Sequence, residues 1–195
     1  ATAPKIPNTN NANKFIKKLL VKKNISVPIL AVAPITNWKR KNWPLKNYLE
    51  LIKKLLQDTS FFNSVILLGS ENEKKLCNKL KKNLHNENVH NLAGSLKILE
   101  IHELLKMCKF FVGNDSGLTH LSVASKIKTL ALFGPSKNEN YRPWGENSYF
   151  LRTPENYNEL VEVKGYSRFH TTSLMKSLKI EDVLELSLKI ISKKN

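Results

Sequence analysis

Short, continuous apolar segments alternate along the chain with longer segments in which apolar residues recur every three or four positions. Continuous apolar runs of about 4–8 residues are typical of strands buried on both faces. The wider spacing is typical of amphipathic helices. The predicted strands cover residues 29–33, 65–68, 89–92, 110–112 and 129–133.

Helices are predicted between these strands and near the end of the chain. Pro44 suits the first turn of one helix, because its missing N–H would have no intrahelical partner there. Residues 71–84 begin with acids and continue with lysines, as the helix dipole favours. Residues 136–173 carry turn residues and scattered aromatics, and we expect them to be irregular. The predicted helices cover residues 14–23, 44–56, 71–84, 98–108, the segment after Gly117, and 180–191.

The alternation of strands and helices predicts an α/β protein with a doubly wound, mostly parallel, Rossmann-like sheet and right-handed crossovers. In such sheets, ligands bind beyond the carboxyl ends of the strands. Polar loops follow the predicted strands, so we expect these loops to meet at one edge of the sheet. They are residues 34–43, 69–73, 93–97, 113–120 and 134–145.

One of these loops, Gly113 to Gly117, joins a predicted strand directly to a predicted helix. Asp115 or Ser116 is expected to cap the first N–H groups of that helix. The remaining amides and the positive end of the helix dipole would then form an anion site. We hypothesise that this turn holds the diphosphate of a nucleotide-sugar. The alternative, an ordinary capped helix start, leaves His120 unexplained: it either donates to a phosphate or satisfies a backbone carbonyl.

Other known phosphate and nucleophile motifs do not fit this turn. No Lys-Ser or Lys-Thr follows as in a Walker loop, and the glycine spacing is not that of a dinucleotide fingerprint. Ser116 as nucleophile with His120 as base is disfavoured, because the Gly-x-Ser-x-Gly elbow is absent.

Three further groups of side chains have both a binding and a structural interpretation. The basic residues 39–41 either neutralise a pyrophosphate or form a solvated loop. Glu73 either accepts hydrogen bonds from ribose hydroxyls or favours the dipole of the helix that it begins. Tyr141 and Trp144, after Phe133-Gly134-Pro135, either line a pocket or belong to the core.

Charge and cysteine content narrow the class of partner. The chain of 195 residues carries 32 Lys and Arg against 16 acids, a net charge of +16. This excess favours anionic partners, or else it only solubilises the surface. Aromatic residues do not alternate with arginines, so no specific nucleic-acid binding is expected. Cys77 and Cys108 form no disulfide or metal motif, which indicates reduced thiols in a cytoplasmic protein and no metal site.

Residues 1–25 are interpreted as a polar linker and a basic helix, and residues 26–195 as the folded domain. The basic helix would pack on the body, on a neighbouring domain or on a membrane surface. The chain contains no apolar run of about 18 residues and no signal pattern. Because it does not begin with Met, we expect a processed chain or a piece of a longer one.

Four segments, in this order and spacing over roughly residues 29–144, resemble glycosyltransferase family 9, which includes the lipopolysaccharide heptosyltransferases. They are Lys41–Pro44 (KNWP), Leu68–Glu73 (LGSENE), Phe111–Leu121 (FVGNDSGLTHL) and Thr129–Pro135 (TLALFGP).

The resemblance implies the second, donor-binding domain of a two-domain GT-B enzyme. The reaction would be inverting transfer of a sugar, heptose by resemblance, from an ADP-heptose-like donor to a lipopolysaccharide core, without metal or other cofactor. By resemblance, the diphosphate contacts Asp115, Ser116, Gly117, Leu118, His120, Thr36 and Lys41, while Glu73 binds ribose and Leu96 lines an adenine slot.

The chain also departs from the family pattern. No segment of this sequence matches the family's domain for the glycolipid acceptor, or the acidic general base within that domain. We therefore expect these residues to bind nucleotide but transfer little sugar alone, at the cytoplasmic face of an anionic membrane. The alternatives are a nucleotide-binding module without turnover and, less favoured, a basic nucleic-acid-binding protein.

Overall fold

The computed structural model describes residues 9–58, 61–167 and 169–193. Within these ranges, six parallel strands form one sheet with helices on both faces. The strands are β1 Ile29–Ala33, β2 Ser64–Leu67, β3 Val89–Asn91, β4 Phe110–Asn114, β5 Lys128–Phe133 and β6 Ser148–Arg152. The helices are α1 Asn10–Lys22, α2 Leu45–Gln57, α3 Lys74–Leu84, α4 Ile98–Leu105, α5 Gly117–Ala124, α6 Asn138–Tyr141, α7 Tyr157–Val161 and α8 Ile180–Ser192.

The strand order is β3-β2-β1-β4-β5-β6, and every neighbouring pair is parallel. This confirms the predicted doubly wound, Rossmann-like α/β fold. The chain adds β2 and β3 on one side of β1 and then β4, β5 and β6 on its other side, so the direction of the order reverses between β1 and β4. The loops after β1 and β4 therefore diverge there and leave a crevice, as this topology requires.

Two apolar clusters fill the space between the sheet and its helices. One contains the buried faces of α2, α3 and α8, and the other those of α1, α4 and α5. All five residues of β1 are fully buried, as are Phe110, Phe111 and Val112 of β4. Burial on both faces explains why these strands appear in the sequence as continuous apolar runs.

The prediction that residues 136–173 are irregular is wrong, because they contain β6, α6 and α7. β6 is one of the two edge strands: among the described residues it pairs only with β5, and all five of its residues are only partly buried. Its three apolar residues, Tyr149–Leu151, lie in a segment rich in turn residues, where the sequence indicated only scattered aromatics. Residues 71–73 also differ from prediction, since they form a 3₁₀ turn before α3.

Helix α1 begins at Asn10, four residues before the predicted start, and packs on α4. Ile16 is fully buried, and the side-chain amide of Asn13 donates to Glu103 at 2.7 Å. Among the helices of the described residues, none is both long and apolar enough to cross a membrane.

Glu103 is expected to make the stability of the α1–α4 contact depend on pH. Burial raises its pKa, but hydrogen bonds from Asn13, Lys106 and Thr9, with the charge of Lys106, outweigh burial and hold the pKa at about 2. The ordinary value is 4.5. Because the folded-state pKa is depressed, this stabilisation is present above pH 4.5 and is lost as pH falls towards 2.

Replacing Glu103 with glutamine should lower the free energy of unfolding at pH 7 by about 1 kcal/mol and flatten its fall below pH 4.5. Urea unfolding at several pH values measures both effects. Glu87→Gln, at an exposed glutamate, is the matched control. Equal pH profiles for the wild type and Glu103→Gln would show that Glu103 does not couple α1 to pH.

Candidate functional site

Asn114, the last residue of β4, ties the two diverging loops of the crevice together. Its fully buried Oδ1 accepts hydrogen bonds from the Trp43 backbone N–H at 3.0 Å and the Tyr48 hydroxyl at 3.1 Å. Its Nδ2 donates to the Pro34 carbonyl at 2.8 Å. Burial raises the pKa of Tyr48 well above its usual value, so its hydroxyl stays protonated and can donate. The loop after β1 is therefore fixed against the end of β4.

The loop after β1 also has its own internal frame. The Thr36 backbone N–H donates to Asn42 Oδ1 at 2.7 Å, and the Thr36 hydroxyl lies 2.9 Å from the same oxygen. The Trp43 indole N–H donates to the Leu178 carbonyl at 2.9 Å. These bonds turn the basic 3₁₀ segment Lys39–Lys41 towards the end of β4.

A cavity of about 680 Å³, which we call the switch-point cavity, opens where the two loops diverge. Basic, acidic and aromatic side chains line it together with the first turn of α5. The lining includes Trp38, Lys41, Asp115, Ser116, Gly117, His120, Pro135, Ser136, Lys137, Tyr141, Tyr157 and Tyr166. Five of the nine residues predicted for the nucleotide site therefore face one space.

Lys41 and Asp115 form an ion pair in the wall of this cavity. The Lys41 Nζ lies 2.5 Å from Asp115 Oδ2, and the two side chains are 19% and 7% exposed. The predicted capping role is wrong for both candidates, because Ser116 occupies the N-cap position without a side-chain capping bond and Asp115 turns towards Lys41. Lys41, in the loop after β1, is a charged partner that binds the Asp115 carboxylate more strongly than the amides of α5 would.

The first turn of α5 presents unpaired polar groups. Within the described ranges, the backbone N–H groups of Gly117 and Leu118 have no acceptor, as expected at a helix start. The Ser116 Oγ is buried and also lacks a partner in these ranges. A Cβ placed on Gly117 would meet nothing within 4 Å, so the space in front of these amides is open. Free amides that face open space at a helix start are the arrangement that favours anions.

A second cavity of about 460 Å³ lies between the loop after β1 and residues 70–76. It contains Thr36 and Glu73, so the structure separates these two predicted residues from the switch-point cavity. The Glu73 carboxylate accepts from the Ser70 backbone N–H at 2.6 Å and completes a capping box. Glu73 therefore acts at the start of this helix, and among the described residues its carboxylate makes no other hydrogen bond.

The remaining predicted residues occupy different surroundings. Leu96 and Leu118 pack against the cluster of α1, α4 and α5, and among the described residues neither lines the two cavities. His120 is exposed at the rim. Its backbone N–H donates to the Ser116 carbonyl at 3.4 Å, but in the described ranges its imidazole makes no hydrogen bond to the Ser116 hydroxyl. A Ser–His nucleophile pair is not assembled here.

Residues after β6 complete the cavity wall and were not predicted. Arg40 is buried, donates to the Ser167 carbonyl at 2.5 Å and lies over the Tyr166 ring at 4.6 Å. Lys137 Nζ lies 4.7 Å from the centroid of Tyr157. The basic loop thus holds the segment after β6 across the cavity. No local sequence signal marks these aromatics. The sequence places Asn114 in the predicted loop 113–120, whereas the structure makes it the last residue of β4.

Fold and site together define a doubly wound α/β domain with an open cavity at its switch point, lined by Lys41, Lys137 and the first turn of α5. The family model for glycosyltransferase family 9 (heptosyltransferase) matches residues 3–170. The chain belongs to that family.

Lipooligosaccharide heptosyltransferase 2 of Campylobacter jejuni is 32% identical over 142 residues, covering 66% of this chain and 44% of the relative. The solved E. coli ADP-heptose lps heptosyltransferase II has a TM-score of 0.77 at 23% identity, over 97% of this chain and 54% of that one. E. coli heptosyltransferase WaaC with ADP has a TM-score of 0.66 at 21% identity, over 90% and 48%. The chain therefore spans about half the length of these relatives, and the two structures establish its fold.

Proposed function

We propose that this chain is the donor-binding domain of a GT-B glycosyltransferase that moves heptose from an ADP-heptose-like donor to a lipopolysaccharide core. One observation carries the proposal: Lys41, Lys137 and the free amides of α5 converge on the open switch-point cavity. Such a site suits a diphosphate, whose oxygens accept from amides and ammonium groups. The relatives that bind ADP or carry ADP-heptose in their names make this donor class the first to test.

The chemistry follows from the charge of the leaving group. In inverting transfer, an acceptor hydroxyl oxygen forms a bond to the anomeric carbon while the bond from that carbon to the donor phosphate breaks. The bonding electron pair leaves with the nucleotide diphosphate, and the hydroxyl proton passes to a general base. Lys41, Lys137 and the α5 amides would stabilise the charge that develops on the diphosphate. No metal is needed in this scheme.

The other predicted residues fit a nucleoside portion of the donor. Thr36 and Glu73 share the second cavity, and both cavities border the loop after β1. We propose that the diphosphate lies at the switch-point cavity and that the ribose extends towards Glu73. Leu96, in the loop after β3, would then lie beyond the ribose near the base.

The domain proposal assigns residues 26–195 to donor binding, with α1 of residues 1–25 packed on α4. The acceptor site and general base would belong to a separate acceptor domain. We therefore expect the 195-residue chain to bind nucleotide and to transfer little sugar unless that domain is supplied.

Isothermal titration of ADP, UDP and ADP-heptose into the chain tests the proposal. One saturable site for ADP and ADP-heptose, with weaker binding of UDP, is expected. Titrating inorganic pyrophosphate separates the diphosphate contribution from that of the nucleoside. Absence of binding by all three nucleotides would contradict the proposed function.

Replacing Gly117 with valine should weaken ADP binding by about tenfold or more without lowering the unfolding temperature. The added side chain enters open space at the first turn of α5, so no contact within the protein is lost. The same side chain blocks the access of a diphosphate to the amides. Titration of ADP and a thermal melt of the same sample measure the two effects. Unchanged ADP affinity would place the diphosphate away from α5.

A further inference from the structure

A third cavity, of about 570 Å³ and lined by basic residues, lies where the strands begin, at the edge of the sheet opposite the switch-point cavity. Lys109 precedes β4 and Lys128 begins β5, whereas Asp115 follows the other end of β4. Six residue steps along a strand separate the two edges by about 20 Å. We call this space the five-lysine cavity, after the lysines that line it: Lys106, Lys109, Lys126, Lys128 and Lys193.

The positive charge of this cavity is largely uncompensated. No Asp or Glu is among the described residues that line it, and only Lys106 has an acidic partner, Glu103 at 2.9 Å. Lys109 lies over the Phe61 and Phe62 rings, and Lys128 donates to the Lys193 carbonyl. In the described ranges, four lysines without a carboxylate partner therefore contribute to the lining of one concavity. Like charges in a concave surface repel one another and attract anions.

Lys126 provides a second observation. It follows the end of α5 with φ of +62°, a backbone conformation that favours Gly or Asn. The backbone therefore places a lysine where a residue without a branched or long side chain would be favoured, and its side chain joins the lining of the cavity. Asn147 also lines the cavity, and among the described residues its side-chain amide makes no hydrogen bond.

We propose that the five-lysine cavity binds clustered phosphate groups, carried either by a free polyphosphate anion or by the headgroups of an anionic lipid surface. Ammonium–phosphate contacts are charge-assisted hydrogen bonds, and several converging ammonium groups favour a ligand with several phosphates over a single one. The proposal does not depend on nucleotide binding at the switch-point cavity, because the two sites lie at opposite edges of the sheet.

The test compares two triple variants that remove equal charge, both in a Lys41→Ala background that weakens anion binding at the switch-point cavity. The first carries Lys109→Gln, Lys126→Gln and Lys128→Gln. The control carries Lys75→Gln, Lys79→Gln and Lys82→Gln on exposed positions of α3. Tripolyphosphate is titrated calorimetrically, and sedimentation with vesicles of phosphatidylglycerol and phosphatidylcholine measures the lipid source. Thermal melts show that each variant folds, and Lys126→Asn provides a milder single change.

Loss of tripolyphosphate affinity by about tenfold or more in the first triple alone supports a free polyphosphate ligand. The same selective loss with anionic vesicles alone supports a lipid surface. Equal losses in both triples would show binding to net charge, and would overturn the proposal. Absence of binding by tripolyphosphate and by vesicles in the Lys41→Ala parent would overturn it too. Neither of these results would contradict the proposed ADP site, which is tested separately by titration of the unmodified chain.

Discussion

Replacing Lys41 with alanine is expected to weaken ADP binding by about 30-fold or more, equivalent to about 2 kcal/mol. Two effects add. The diphosphate loses an ammonium group in the wall of the switch-point cavity, and the buried Asp115 carboxylate loses the partner that lies 2.5 Å away. An uncompensated carboxylate beside the diphosphate then repels it.

Calorimetric titration of ADP measures this loss, and a thermal melt shows whether the variant is folded. Lys46→Ala removes the same charge from an exposed position five residues away and should leave the affinity unchanged. Adding Asp115→Asn to Lys41→Ala should recover part of the loss, because it removes the repulsion. Equal affinities for Lys41→Ala and Lys46→Ala would exclude the ion pair from the binding site.

Asn114→Ala is expected to lower the free energy of unfolding by about 3 kcal/mol or more, because it removes three buried hydrogen bonds at once. The Trp43 N–H, the Tyr48 hydroxyl and the Pro34 carbonyl would each be left in the interior without this partner. The loop after β1 would also lose its tie to β4, so ADP affinity should fall in the same variant.

Urea unfolding of Asn114→Ala measures the stability, and titration of ADP measures the affinity. Asn37→Ala, at an exposed asparagine in the same loop, is the matched control for stability. A loss below about 0.5 kcal/mol would mean that water or a shifted neighbour satisfies the three groups. In that case Asn114 would not be what fixes the crevice.

Much of the fold was accessible from the sequence because its inner strands are buried on both faces. Ile29–Ala33 and Phe110–Val112 are continuous apolar runs for that reason, and the strand–helix alternation then specified a parallel, doubly wound sheet. β6 escaped prediction because its short apolar run lies in a turn-rich segment and none of its five residues is fully buried.

The site could be predicted from the sequence only where its residues are neighbours along the chain. The turn from Asp115 to Gly117 combines a strand end, a glycine and a helix start within three residues, so an anion site could be predicted there from the sequence. The partner of Asp115 could not be inferred in the same way, because Lys41 lies on another loop and reaches Asp115 only through the pairing of β1 with β4.

The sequence by itself determined five of the six strands, the helices other than α6 and α7, which edge of the sheet carries the polar loops, and which family the motifs resemble. Tertiary structure alone decided that Asp115 pairs with Lys41 instead of capping α5, that Tyr157 and Tyr166 close the cavity, and that five lysines meet at the opposite edge. The physical reason is the separation along the chain over which each kind of interaction acts. Burial periodicity and helix-start chemistry act within a few residues, whereas charge pairing and cavity walls depend on which distant segments the parallel sheet brings together.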